Sequence, residues 1–284
     1  MGFYYLYMDI KLKQIKPYYS LYKNWIHVLY SIYKKNDKIE LKLRNGKILN
    51  MGIKNIFDFT FQNYYDLSGG YIKINNFRFK LNEGNSGKYN GDIGATFIRE
   101  DYKWLKPKGN IVIDIGANIG DSPTYFASKG ATKVIALEPF PYSYRLATEN
   151  ISNNGYKEKI VLLNAGYGKD GEINVEDKLT GTGDELVPSK EGIRIKIFSL
   201  KTLLNIYNID SAILKMDCEG CEYNLLDEDN DTLAKFNRMQ IEYHYGYEKL
   251  KNRLEEAGFK LKYTEPVLGA DNENMHMGYI YAEK

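Results

Sequence analysis

From residue 110 onward the chain repeats one unit, a run of apolar and β-branched residues followed by a stretch with helical spacing. Strand-like runs fall at 110–115 (NIVIDI), 133–138 (KVIALE), 159–164 (KIVLLN), 211–217 (SAILKMD) and 238–244 (RMQIEYH). Helix-like segments fall near 120–129, 141–153, 199–207, 221–236 and 247–257. Alternation of this kind buries every strand in a parallel, doubly wound α/β sheet. The last two alternating pieces, FKLKYTEP and MHMGYIYAEK, read as a hairpin that gives such a sheet an antiparallel strand.

The first part of the chain follows a different pattern. Residues 17–33 place Tyr18, Tyr22, Trp25, Ile26, Leu29, Ile32 and Tyr33 at helical spacing, with Pro17 where a first-turn proline belongs. This predicts an amphipathic helix that packs on the main domain or on a second copy, and it leaves open a peripheral membrane contact. IELKLRNGKILNM alternates around Asn45-Gly46, a hairpin signal. The stretch 56–82 is again aromatic and alternating, and 82–92 is rich in Gly and Asn. These features divide the chain into an α+β appendage over 1–90 and the repeating domain over 91–284. Within that domain, 166–198 is too long for a simple connection and reads as a hairpin with the tip TGTGDE, able to act as a lid or to decorate the surface.

Composition narrows the classes. An apolar share of 43% and a charged share of 27% are those of a globular chain and exclude disorder. The net charge of +2 does not ask for a nucleic-acid partner. Residues 1–50 carry ten Lys/Arg against three Asp/Glu, an excess that a solvated lysine-rich surface explains. The opening MGFYYLYMDI has no signal-peptide pattern, and no run of 18 apolar residues occurs, so a soluble cytoplasmic protein is expected. Cys218 and Cys221 stand three apart. With so few cysteines no disulfide framework is expected, a zinc site lacks ligands, a redox pair or catalytic nucleophile lacks its surrounding motif, and both read as small buried thiols.

The first strand ends in Asp114, and the turn after it reads D-x-G-x-N-x-G through Gly116, Asn118 and Gly120. Ligands of open α/β sheets bind outside the carboxyl ends of the strands, so this turn is the floor of a site. The glycines let the backbone approach a ligand, and the amides opening the next helix can donate to an anionic group. The dinucleotide pattern G-x-G-x-x-G is absent, because Ala117 and Asn118 stand where its middle glycine would be. An acidic residue ahead of the glycines suits a ligand carrying a cationic amine. Glu138 ends the second strand, 18 residues beyond Gly120, where a carboxylate can accept from two ribose hydroxyls. Amine, carboxylate and ribose together describe S-adenosyl-L-methionine. Ala117 and Pro139, just past these two strands, and Asn164, ending the third, complete the candidate cofactor set. KMDCEGCE at 215–222 crowds Asp217, Glu219 and Glu222 at the end of the fourth strand, and IEYHYG brings Glu242 and His244 to the same edge. PFPY at 139–142 follows the second strand, not the fourth, which argues against amino-group methylation of DNA.

The segments IDIGANIGD, ALEP, KMDCEGCE and IEYH resemble the FkbM-type family of S-adenosylmethionine-dependent methyltransferases over roughly residues 95–265, D-x-E-G-x-E being the most specific mark. The resemblance implies a Rossmann-like class I methyltransferase sheet, mostly parallel with an antiparallel last strand, and O-methylation of a sugar, glycan, lipid or secondary metabolite. Carried over, Asp114, Gly116, Asn118 and Gly120 would contact the methionine end, Glu138 the ribose, and Asp217 and Glu219 the acceptor. An aliphatic hydroxyl is a poor nucleophile, so a base or a metal must assist. The candidate assignment has Asp217 or Glu219 orienting the hydroxyl and His244 taking its proton, His being the best base by ordinary pKa. No metal site is assigned. A non-catalytic nucleotide-binding module and an RNA methyltransferase stand as the rival readings, and homodimerisation is left open.

Overall fold

The computed structural model describes residues 12–64, 70–81, 92–177, 185–268 and 276–284. The chain divides into two compact units, Phe3–Asp101 and Tyr102–Lys284. The boundary expected near residue 90 lies outside the described residues.

In the N-terminal unit the helix expected over 17–33 is two helices, α1 (Leu12–Leu21) and α2 (Trp25–Tyr33), and Pro17 sits inside α1. The break has a local cause. The Asn24 side chain donates to Glu40 O at 2.8 Å and accepts from Lys42 N at 2.9 Å, while Tyr22 bridges to Leu43. These bonds tie the chain to a strand just where a continuous helix would have run on. The change of phase splits the aromatic face: Tyr18 and Tyr22 are buried, whereas Ile26 and Tyr33 are exposed. The hairpin around Asn45-Gly46 forms as expected from β1 (Lys38–Lys42) and β2 (Ile48–Gly52), with Gly46 at φ +93°. The alternating stretch beyond it differs from the expectation. It contains helix α3 (Ile53–Tyr64) ahead of the hairpin β3 (Tyr71–Ile74) and β4 (Phe77–Lys80). Phe57, Phe59 and Phe61 alternate, but Phe57 and Phe61 also stand four apart, and their rings meet at 4.3 Å across one helical turn.

The C-terminal unit is built on a sheet whose described strands run in the order β13-β15-β12-β11-β5-β6-β7. Its strands are β5 (Ile111–Ile115), β6 (Lys133–Leu137), β7 (Ile160–Leu163), β11 (Ala212–Met216), β12 (Phe236–Tyr243), β13 (Lys260–Tyr263) and β15 (His276–Glu283). β12, β11, β5, β6 and β7 are mutually parallel, and β15 is antiparallel to both of its neighbours. The closing hairpin is therefore present, with β15 inserted between β13 and β12. A short β14 (Val267–Leu268) pairs with β15 off this path. Chain order reverses between β5 and β11, and the crevice of an open α/β sheet opens at such a point.

Helices α4 (Asp121–Ser128), α5 (Pro141–Asn153), α6 (Leu200–Ile206) and α8 (Glu248–Glu256) occupy the expected connections. The helix expected over 221–236 is instead a 3-10 turn, Cys221–Asp227, and a short α7 (Asn230–Ala234). Asp229 explains the interruption, because its carboxylate caps a new start by accepting from Thr232 N at 2.7 Å. Within 166–198, β9 (Gly171–Val175) and β10 (Ile193–Phe198) form the expected hairpin, and β8 (Ala165–Tyr167) adds to it in parallel. Most of its tip, residues 178–184, lies outside the described residues. The core beneath the sheet centres on buried Ile113, Ile135, Leu214, Met216, Leu203 and Ile241.

Candidate active site

The central strands deliver their last residues to one edge. Asp114 near the end of β5 is fully buried; one of its oxygens accepts from Ser122 Oγ at 2.8 Å and the other lies 3.1 Å from Lys215 Nζ. It braces the turn from beneath. Lys215, the register partner of Asp114 on β11, is only 2% exposed and donates to Gly116 O at 2.6 Å. Burial works to lower the pKa of this ammonium, but Asp114, then Asp217 and Asp121, outweigh it and raise the value. A charged lysine thus clamps the glycine turn to the neighbouring strand.

The turn itself is held in conformations that L side chains rarely adopt. Gly116 has φ +82°, and a Cβ placed on it would lie 1.8 Å from the carbonyl oxygen of Asp217. The glycine turn and the end of β11 are therefore in backbone contact. Asn118, at φ +45°, donates its amide to Glu138 Oε2 at 2.7 Å. Glu138 Oε1 accepts from Phe140 N at 2.9 Å. Burial pushes the Glu138 carboxyl up to about 7 against the opposing effect of those two amides. Gly120 caps the start of α4 at φ +85°, and Ala117 is buried between the glycines. Asn164 donates to the carbonyls of Glu138 and Pro139 at 2.9 and 3.0 Å, fixing the loop that follows β6. A cleft of about 370 Å³ opens beside that loop, lined by Phe140, Val175, Glu185 and Val187 among others.

The acidic edge lies next door. Asp217, partly exposed, follows β11, and its amide donates to Ile115 O at 3.1 Å. Glu219 takes a left-handed backbone, φ +53°, which is uncommon for a glutamate and is a form of strain that clusters at functional sites. His244 is fully buried between two carboxylates, with Nε2 3.0 Å from Glu219 Oε2 and Nδ1 3.0 Å from Glu222 Oε1. Burial works to lower its pKa, but the adjoining carboxylates of Glu219 and Glu222 lift it to about 11. The imidazole with an ordinary pKa expected from the sequence is not what the fold provides. As placed, His244 is a cation at neutral pH and has no lone pair to offer. Burial, then the neighbouring Asp217 and Glu219, also pushes the Glu242 carboxyl well up.

A second departure concerns the cysteines. Cys218 and Cys221 form a disulfide with their Cα atoms 5.4 Å apart, rather than standing as free thiols. The tight turn over 218–221 supplies the reason: Glu219 and Gly220 both take positive φ, Cys221 N donates to Cys218 O at 3.4 Å, and residues three apart are brought to bonding distance.

Three contributors were missed by motif reading. Lys215 opens the KMDCEGCE segment but was given no role there, and its signal was a lone lysine in an otherwise apolar strand. Asn150 donates from α5 to Ile119 O at 2.9 Å, bracing the turn from outside. Tyr102, whose hydroxyl burial and then Asp217 hold far above its ordinary pKa, lies ahead of the first strand.

The sequence pattern of the methyltransferase FkbM domain matches residues 114–261, just over half of the chain. Among curated proteins none matches in sequence. Solved structures that align with the chain include precorrin 8w decarboxylase of Methanobacterium thermoautotrophicum, at 16% identity and TM-score 0.40 over 66% of this chain and 89% of that one. M. jannaschii TYW2 in complex with AdoMet aligns at 18% identity and TM-score 0.40 over 75% and 84%. An rRNA methylase from Streptococcus thermophilus aligns at 14% identity and TM-score 0.39 over 66% and 95%.

Proposed function

This chain belongs to the FkbM methyltransferase family and is an S-adenosyl-L-methionine-dependent methyltransferase, and we propose that it methylates a hydroxyl oxygen of a sugar, glycan, lipid or secondary metabolite. The observation that carries the choice of acceptor is the backbone contact between Gly116 and Asp217. It holds an acidic strand end against the cofactor turn, so the group entering beside the methyl donor meets carboxylates. A neutral hydroxyl can donate to such an edge, whereas a phosphate-rich polymer would be repelled by it.

The residues fit the cofactor. Glu138 offers a carboxylate already fixed by two amides to the vicinal hydroxyls of a ribose, and the turn from Gly116 to Gly120 presents backbone to the amino-acid end. When bound, the sulfonium supplies an electrophilic methyl group. The chain's own part is positioning, which accounts for much of the rate in an in-line displacement. Asp114 and Lys215 hold the turn from below, Asn118 and Asn164 hold Glu138 and its loop, and Asp217 accepts the acceptor's O–H and aims its oxygen at the methyl carbon. As the acceptor oxygen took the methyl group that the bound cofactor would supply, the hydroxyl proton would pass to Asp217. His244⁺ does not take that proton; it fixes Glu219 and Glu222 beside the path.

The test is incubation of the purified chain with methyl-labelled S-adenosylmethionine and, in separate reactions, hydroxylated glycans, lipids and bulk RNA. Label in an alkali-stable methyl ether of a glycan or lipid is the expected result. Label confined to RNA would refute the hydroxyl-acceptor reading. Calorimetric titration with S-adenosylhomocysteine, repeated on Glu138→Ala, checks the cofactor half separately.

A further inference from the structure

We infer that Asp217, Glu219 and His244 bind a first-row divalent metal cation at the carboxyl ends of β11 and β12. One ligand atom from each of the three lies within 4.8 Å of the others. A group of carboxylates at a strand edge would not by itself indicate a cation, but the buried part of this one does. His244 has no exposed surface, and its Nε2 and Glu219 Oε2 are buried atoms without a hydrogen-bond partner among the described residues. They face each other at 3.0 Å, yet without the alignment of a hydrogen bond. Two ligands of a shared cation take this separation: at metal–ligand distances of about 2.1 Å, adjacent corners of an octahedron are about 3.0 Å apart. Asp217, partly exposed, supplies a third corner on the open side.

The surroundings of the histidine are those of a metal ligand. Glu222 is fully buried and its Oε1 meets His244 Nδ1 at 3.0 Å while also accepting from His244 N at 2.9 Å. Its other oxygen accepts from Gly220 N at 2.9 Å. A carboxylate so held keeps the proton on Nδ1, so a metal entering at Nε2 has only the second ring proton to displace. One imidazole nitrogen with two carboxylates suits Mn²⁺, Fe²⁺ or Zn²⁺ better than Ca²⁺, which prefers oxygen throughout. A cation here could also take the acceptor's oxygen and make its proton easier to lose. That use rests on the hydroxyl-methylation reading above; cation binding does not.

The experiment is titration of the EDTA-stripped full chain with Mn²⁺, following the electron paramagnetic resonance of the free ion. Stoichiometric uptake is expected. Asp217→Asn, at a partly exposed position, should weaken uptake at least about tenfold, and Glu222→Gln should weaken it roughly 10–100-fold through the imidazole it orients. Glu172→Gln, on the exposed face of β9, should leave it unchanged. No uptake, undiminished uptake by folded Asp217→Asn and His244→Ala, or Ca²⁺ bound as tightly as Mn²⁺ would each overturn the assignment. S-adenosylhomocysteine calorimetry on the same preparation separates the two readings. Homocysteine-ligand binding with no Mn²⁺ uptake removes the cation site alone, and Mn²⁺ uptake with no such binding supports the site while removing the methyl-transfer reading.

Discussion

Replacing Gly116 by alanine tests the contact on which both halves of the site depend. The added Cβ would stand 1.8 Å from Asp217 O and 2.9 Å from Asp217 C. Even a close C···O contact is about 3.3 Å, so one of the two backbones must retreat by roughly 1.5 Å. Neither is free to do so, because Gly116 and Ala117 donate to Leu137 O at 3.1 and 2.9 Å, and Asp217 donates to Ile115 O at 3.1 Å. The left-handed backbone at φ +82° adds about 1–2 kcal/mol for any residue with a Cβ. Loss of a buried hydrogen bond adds about 1–3 kcal/mol. Gly109 is the internal control, since it has φ +77° but nothing within 4 Å of the position a Cβ would take. Gly109→Ala therefore carries the backbone term alone, and the difference between the two variants isolates the collision. For a unit of this size that difference, about 1–3 kcal/mol, corresponds to roughly 2–12 °C in melting temperature. Calorimetric titration should show S-adenosylhomocysteine binding weakened on the order of 100-fold in Gly116→Ala, as a displacement near 1 Å at a site costs, and unchanged in Gly109→Ala. Equal melting temperatures for the two variants, with wild-type affinity in both, would refute the claim that cofactor turn and acceptor edge share one backbone contact.

Lys215→Met removes the cation that neutralises buried Asp114 and should destabilise the chain by about 3–5 kcal/mol. Adding Asp114→Asn should restore part of that loss, and urea denaturation of the single and double variants that shows no coupling would contradict the clamp. Glu138 has its carboxyl pushed from 4.5 up to about 7, so between those values the folded chain keeps a proton that the unfolded chain has lost. Its contribution to stability is present below pH 4.5 and is lost as pH rises through 7, by about 3 kcal/mol in all. Urea midpoints at pH 5, 6 and 8 should fall across this window in the wild type and less so in Glu138→Gln; parallel profiles would count against it. Because Cys218 and Cys221 are joined, a thiol reagent applied to the denatured chain without reductant should label neither, and two labelled thiols per chain would overturn the pairing.

The alternation after residue 110 made the sheet legible because each strand there is a short apolar run bounded by turn residues, and a parallel strand buried on both faces needs nothing else. The candidate site residues could be grouped from sequence wherever they are near neighbours in the chain: Asp114 through Gly120 cover the end of β5 and its turn, and Asp217 through Glu222 follow β11. Failures came where a partner lies far along the chain. Lys215 reads as an interruption of an apolar strand until the register sets it beside Asp114, about a hundred residues earlier in sequence. His244 reads as a free base until β12 is placed next to β11, which brings Glu219 and Glu222 to either side of the ring. The aromatic stretch at 53–64 failed for another reason, since Phe57, Phe59 and Phe61 satisfy period two and period 3.6 at once, and packing in the folded unit decides between them.

The same long-range pairing explains why an acidic crevice can be built from an apolar sheet at all. Asp114 is tolerated at the bottom of the site because Lys215 stands opposite it, and Glu222 because His244 does. Each charge is neutralised across a strand pair rather than along a strand. Loss of one member would leave a buried charge with no partner, which is costlier than losing the pair. Asp217 lies just past the end of β11, beyond its register with β5 and β12, and is partly exposed, whereas burial pushes up the carboxyl of Glu242, which pairs with Tyr279 on β15. The sheet's interior pairs thus brace the backbone, and Asp217, past the end of β11, stands at the edge where the proposed acceptor would enter. Only Met216, the last residue of β11, separates buried Lys215 from partly exposed Asp217, so bracing and the proposed contact with the acceptor lie two residues apart in the chain.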